Sequence, residues 1–139
     1  MTDPVAVVRS LVARINGSDW AGVHALLHAN FRRHSMAAGG RGEETAEEFV
    51  CFLQEEHVAY PDAHEVLLDA FAAGAQVAAR HQFTGTQLGP LGAHPPTGRT
   101  VRSTYLAIYR IEDGRIREAW AEWDNLADLR QLGHLPEAG

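Results

Sequence analysis

The stretch GRTVRSTYLAIYRIEDGRIREAWAEWDNLADLRQLG, Gly98 to Gly133, decides the fold. Two runs of alternating character, Thr100 to Ile111 and Arg115 to Asp124, flank Asp113-Gly114. A two-residue type I′ turn needs positive φ at both central positions, and Asp-Gly between period-2 runs is the usual way to supply it. The stretch therefore reads as a β-hairpin, followed by a short amphipathic tail ending in Gln131-Leu132-Gly133.

With Asp113-Gly114 as the whole loop, Glu112 faces Arg115 and Ile111 faces Ile116. The pairing then runs through Tyr109 with Glu118, Ala107 with Trp120, Tyr105 with Glu122 and Ser103 with Asp124. Side chains alternate across a strand, so this register puts all of them on one face, aromatic rings beside carboxylates. A bulge would move every pairing by one. The opposite face carries Leu106, Ile108, Ala119, Ala121 and Trp123. A sheet that is partly apolar on both faces must be covered on both, by helices on one side and by another subunit on the other. Carboxylates among aromatic rings imply a pocket, with Asp124 closing the strand and looking into its covered side.

The rest of the chain fits around that sheet. At 139 residues and 15.2 kDa, positions 1–139 read as one domain with one core. Hydrophobic residues make up 45%, which excludes disorder, and no apolar run approaches the ~20 residues of a membrane span. Met1-Thr2-Asp3-Pro4 lacks the basic and apolar regions of a signal peptide, so a cytoplasmic protein is expected. The formal charge of -6 argues against nucleic-acid binding and leaves a hydrophobic, aromatic small molecule as the expected ligand. The lone Cys51, in Phe49-Val50-Cys51-Phe52, reads as a small buried hydrophobe.

Asp3-Pro4 starts a helix whose stripe is Val5, Val8, Leu11, Val12 and Ile15, ended by Asn16-Gly17. A second helix is capped by Ser18 or Asp19 and buries Trp20, Val23, Leu26 and Leu27. His24 and His28 stand four apart on it, but no third ligand follows, and no metal is expected. Phe31 to Ser35 reads as a short strand carrying His34, and Met36 to Gly42 as a Gly-rich loop. Thr45 and Glu48 have capping-box spacing and open a helix buried through Phe49, Phe52 and Leu53, which stops at Tyr60-Pro61-Asp62. Strands follow from His64 to Ala72 and from Ala75 to Thr86, then a Gly/Pro-rich rim loop from Leu88 to Thr97. Helices first and strands last give an α+β fold: a curved antiparallel sheet wrapped around N-terminal helices as a cone with an internal cavity.

Taken together, Phe31 with His34, Tyr60-Pro61-Asp62, Arg80 before Gly85-Thr86, Pro96-Thr97-Gly98-Arg99, Asp113-Gly114-Arg115-Ile116 with Glu118 and Trp120, then Asp124 and Gln131-Leu132-Gly133 resemble the SnoaL-like polyketide cyclases. These belong to the cone-shaped superfamily that also holds ketosteroid isomerase and limonene epoxide hydrolase. The resemblance implies intramolecular aldol closure of an aromatic polyketide, of the anthracycline type, with no metal or organic cofactor and one aspartate as acid/base. That aspartate maps to Asp124. The family commonly has His after the Gly-Thr pair where this chain has Gln87, which can only hydrogen-bond, and His81 is positioned to compensate.

The chemistry asks for removal of a proton α to a carbonyl and stabilisation of the resulting enolate. The expected catalytic groups are Asp124, His34 and His81, and the expected substrate contacts are Gln87, Trp120, Tyr105, Glu118 and Phe52. Rival readings are other polyketide-tailoring chemistry on the same frame (a hydroxylation partner, a dehydratase or isomerase, an epoxide hydrolase), a binding module without catalysis, and an association domain. Trp123, Leu106 and Ile108 are the expected contact of a homodimer or higher homo-oligomer.

Overall fold

The computed structural model describes residues 3–37 and 42–136. Along the chain run α1 (Pro4–Asn16), α2 (Trp20–Leu26), β1 (Leu27–Ser35), β2 (Gly42–Glu44), α3 (Ala46–Ala59), β3 (His64–Ala73), β4 (Gln76–Thr86), β5 (Thr100–Glu112), β6 (Arg115–Trp123) and α4 (Asn125–Leu132). Local chemistry sets the helix boundaries. Asp3 Oδ1 accepts from the Val5 N–H at 3.0 Å with Pro4 opening α1, and Asp19 accepts from the Gly22 N–H at 2.9 Å to open α2. At α3 both halves of the capping box form: the Glu48 N–H donates to Thr45 Oγ1 and the Thr45 N–H to Glu48 Oε1. Tyr60, ahead of Pro61, ends that helix. Cys51 lies on the exposed flank of α3 rather than inside.

The sheet is curved and not closed, and its order is β2-β1-β6-β5-β4-β3. The α+β cone is as expected; a purely antiparallel sheet is not. β1 pairs parallel with β6, and β2 returns beside β1 as a short hairpin strand. β2 follows the Gly-rich loop read at Met36 to Gly42, of which residues 38–41 lie outside the described residues.

The β5–β6 hairpin turns at Asp113-Gly114, with φ of 54° and 70°, as a type I′ turn requires. Its register nonetheless departs from the simple reading. Ile111 faces Ile116, but Arg110 faces Glu118, so Arg117 is an extra residue in a β-bulge. Beyond it Tyr109 faces Ala119, Ala107 faces Ala121 and Tyr105 faces Trp123. The physical reason is the core: this register buries Ala119 and Ala121 with Tyr109 under the helices and turns Glu118, Trp120 and Glu122 to the outer face. The simple register would have driven two carboxylates into that core at a cost of several kcal/mol each.

On the concave side, Val8, Leu11 and Ile15 of α1 and Phe49 and Leu53 of α3 pack on Val77, Ala79, Ala107 and Ile116 of the sheet. Asn16 fastens the end of α1 to β3, its side chain exchanging two 2.8 Å bonds with the Glu65 backbone. The convex face keeps Leu106, Ile108 and Phe71 exposed.

Candidate active site

Between α3, α4 and the concave sheet lies a cavity of about 840 Å³, its mouth bordered by residues 90–94 of the rim loop. Gln87 holds that loop. It is fully buried, its amide nitrogen sits 3.2–3.3 Å from the Gly89, His94 and Pro95 carbonyls, and its Oε1 lies 2.7 Å from His134 Nε2. With the amide spent on carbonyls, Oε1 accepts and His134 donates. Gly89 completes the anchor, because a Cβ there would stand 2.4 Å from the Val58 carbonyl oxygen. Gln87, expected as a substrate contact, is therefore a strut outside the cavity lining.

The floor is a polar network set into the core. Glu65, only 5% exposed, accepts from the Tyr105 hydroxyl, and His81 Nδ1 lies 3.1 Å from its Oε1 without hydrogen-bond alignment. Tyr109 OH and His81 Nε2 are 3.0 Å apart, and the Tyr105 ring stacks on His81 at 4.3 Å. Burial, followed by the Glu65 charge, pushes the Tyr105 and Tyr109 phenols well up, so both remain protonated donors. His81 thus sits behind Tyr105 as a support.

One wall holds a captive cation. Arg33 Nη1 meets Glu44 Oε1 at 2.6 Å, and its guanidinium lies 5.0 Å from the rings of Phe49 and Phe52 and 5.6 Å from Trp123. Two carboxyls share the cavity with it. Glu56, on the inward face of α3, has its proton affinity pushed up to about 8, by burial first and then by the Glu65 charge; Arg33 opposes the shift and Asp128 adds to it. Asp128 of α4 is raised to about 6 by burial, with Ser103 opposing and Asp124 adding; its buried Oδ1 has no hydrogen-bond partner among the described residues.

Of the expected site residues, Tyr105 and Phe52 line this cavity. Asp124 does not. It is exposed at the N-cap of α4, where its Oδ1 accepts from the Ala127 N–H at 3.0 Å, because the strand ends at Trp123 and the next residue must start a helix. His34, Glu118 and Trp120 share the convex face, turned there by the bulge and by the parallel pairing of β1 with β6. His34 Nε2 is 2.6 Å from Glu118 Oε2, its ring stacks on Trp120 at 5.4 Å, and Arg110 and then His34 hold the Glu118 carboxyl below its usual range. Trp123, read as a subunit contact, instead lines the cavity.

The residues missed carried spacing signals. Glu56 follows Phe49, Phe52 and Leu53 and precedes Tyr60 at helical intervals, and Asp128 stands four before the fully buried Leu132. Helix α2 stops at Leu26, so His24 and His28 do not share a helix; His24 meets Glu47 at 3.2 Å. Among the described residues one grouping, His28 with Glu112 and Asp113, brings possible metal-ligand atoms within 4.8 Å of one another, outside the cavity lining.

Four helices against a curved six-stranded mixed sheet with this cavity define the α+β cone shared by NTF2-like proteins. The SnoaL-like polyketide cyclase family matches residues 5–132, and the chain belongs to that family. IdmH from Streptomyces antibioticus, provisionally assigned as a polyketide cyclase, is 28% identical over 95% of this chain and 99% of its own, with a TM-score of 0.86. TsrD from Streptomyces laurentii is 29% identical over 97% and 100%, with a TM-score of 0.83. AclR from Streptomyces galilaeus, provisionally assigned as a hydroxylase, superposes at a TM-score of 0.86 over 98% of this chain and 84% of its own; at 24% identity it speaks for the fold alone. No curated protein matches this chain in sequence. Family membership implies a small-molecule substrate, and no described helix is long and apolar enough to cross a membrane.

Proposed function

We propose that the protein closes a ring of an aromatic polyketide by intramolecular aldol addition inside the cavity, with Asp128 as the base. The observation that carries this reading is a carboxyl facing the cavity with an unpartnered buried oxygen and a proton affinity near 6. Such a group is ionised near neutrality yet basic enough to take a proton from carbon, the balance general-base catalysis favours. A flat substrate between Trp123, Phe52 and Tyr105 would bury much of its apolar area. Asp124, the position implied by the family resemblance, is the alternative base; it contributes here by raising the affinity of Asp128 one turn on.

Incubation with an anthraquinone-type keto ester tests the reading. Aldol closure gives an isomer of unchanged mass with a different retention time. A product heavier by one oxygen would indicate hydroxylation, and bound but unaltered ester a binding module. Leu106, Ile108 and Phe71, exposed on the convex face, support a homo-oligomer through that face.

A further inference from the structure

We infer that Glu56 is a second catalytic residue, the acid that hydrogen-bonds and then protonates the carbonyl oxygen under attack while Asp128 acts as base. The inference rests on the cyclisation reading. Its starting point is a carboxyl with nothing to hold. The Glu56 carboxyl lines the cavity and makes no hydrogen bond to any described residue. Its neighbours do not hold it. Arg33 of β1, the one cation among them, is taken by Glu44 at 2.6 Å, and Glu65 of β3 already accepts from Tyr105. Asp128 of α4 and Tyr60 at the end of α3 complete the surroundings. Glu56 is half-buried, and a carboxyl drawn into a cavity away from bulk water is held there by a partner from the protein, water or a ligand. Here the open side is the cavity, so the missing partner is whatever occupies it.

The surroundings also fix what Glu56 offers. The sheltered cavity wall first, and then two acids against one guanidinium, make a further negative charge unfavourable, which agrees with retention of its proton up to about pH 8. A protonated carboxyl is a donor, and the ligand group it faces is an acceptor such as a ketone oxygen. Asp128, less strongly shifted, gives up its proton near pH 6 and takes the complementary role.

The reaction then balances without an external reagent. The Asp128 carboxylate removes the proton from the carbon α to one carbonyl. The resulting carbanion forms the new C–C bond to the second carbonyl carbon, and the C=O π pair moves onto oxygen. That oxygen takes the Glu56 proton. The proton now on Asp128 passes through cavity water to Glu56, restoring both groups. One C–H and one C=O π bond break, one C–C and one O–H bond form, and nothing is oxidised.

The test is the pH profile of kcat/KM for the keto ester with the full chain, wild type against Glu56→Gln. Glutamine keeps the size and the hydrogen bond but has no proton to transfer. The expected wild-type profile is a bell with its upper limb near pH 8; Glu56→Gln is expected to lose that limb and to fall at least about 100-fold in kcat, with a smaller change in KM. Substrate-free infrared spectra give an independent readout: a protonated-carboxyl band at pH 7 that persists in Asp128→Asn and is absent in Glu56→Gln. If the wild type cyclises and Glu56→Gln stays within roughly threefold with the limb intact, or if the band is missing in the wild type, the Glu56 role is overturned alone. A wild type that binds the ester without closing it overturns the cyclisation reading, and this role with it.

Discussion

Replacing Glu56 by glutamine should stabilise the protein at the pH where it works. Folded, the carboxyl titrates near 8; in the unfolded chain it titrates near 4.3. Each pH unit between those values costs the fold ~1.4 kcal/mol, because the unfolded chain releases the proton freely while the folded one does not. The raised folded-state value sets the sign: the loss begins above about pH 4.3 and is complete near pH 8. At pH 8 it amounts to up to about 5 kcal/mol, or about 2 kcal/mol once cavity water is allowed to solvate the carboxylate. For a chain of 139 residues that corresponds to a Tm gain of roughly 5–10 °C in Glu56→Gln at pH 8. The gain should shrink to near zero below about pH 4.5. Calorimetry of both proteins from pH 4.5 to 8.5 measures it directly. A Tm difference that is the same across that range, or none at pH 8, refutes the reasoning that burial among Glu65 and Asp128 raises this group.

Other outcomes follow from the register, the loop and the convex face. Trp123→Ala should weaken binding of a flat aromatic ligand about tenfold, as loss of one stacking wall of ~1.4 kcal/mol implies, while Trp120→Ala on the other face leaves it unchanged in a fluorescence titration. Gln87→Ala leaves the Gly89 and Pro95 carbonyls and His134 without these partners and should cost about 2–4 kcal/mol, with faster amide exchange confined to residues 88–97. Leu106→Glu combined with Ile108→Glu should halve the mass measured by light scattering at micromolar concentration without altering the far-UV spectrum; an unchanged mass would count against association through the convex face.

The elements governed by local chemistry were legible in the sequence. Asp3-Pro4, the Thr45/Glu48 box, Tyr60 before Pro61 and Asp113-Gly114 each act through hydrogen bonds or φ restrictions within four residues, and each stands where it was read. The bulge at Arg117 was not legible. Both registers of β6 put Ile116 in the core and then offer further apolar residues, Trp120 in one and Ala119, Ala121 and Trp123 in the other, so alternation alone does not choose. What chooses is the room under α1 and α3, which admits alanines beside Tyr109 and not Glu118. The parallel place of β1 beside β6 depends on contacts far apart in sequence, which no local pattern encodes. The bulge turned Glu118 and Trp120 away from the cavity and brought Trp123 in, while the parallel pairing set His34 beside Trp120 on the convex face. Asp128 and Glu56 were readable in principle from their helical spacing to Leu132 and to Leu53, but an acid on an amphipathic helix ordinarily marks the wet side.

In the proposed reaction the proton-accepting carboxyl lies inside the cavity, in the first turn of α4 and not at its cap. Asn caps a helix as well as Asp does, so Asp124→Asn leaves α4 in place and isolates chemistry from folding. The most direct measurement is single-turnover closure of the keto ester at pH 7 by Asp124→Asn and Asp128→Asn beside the wild type. At least about a 100-fold slowing is expected in Asp128→Asn and a change within roughly fivefold in Asp124→Asn; the reverse order would return the acid/base role to Asp124.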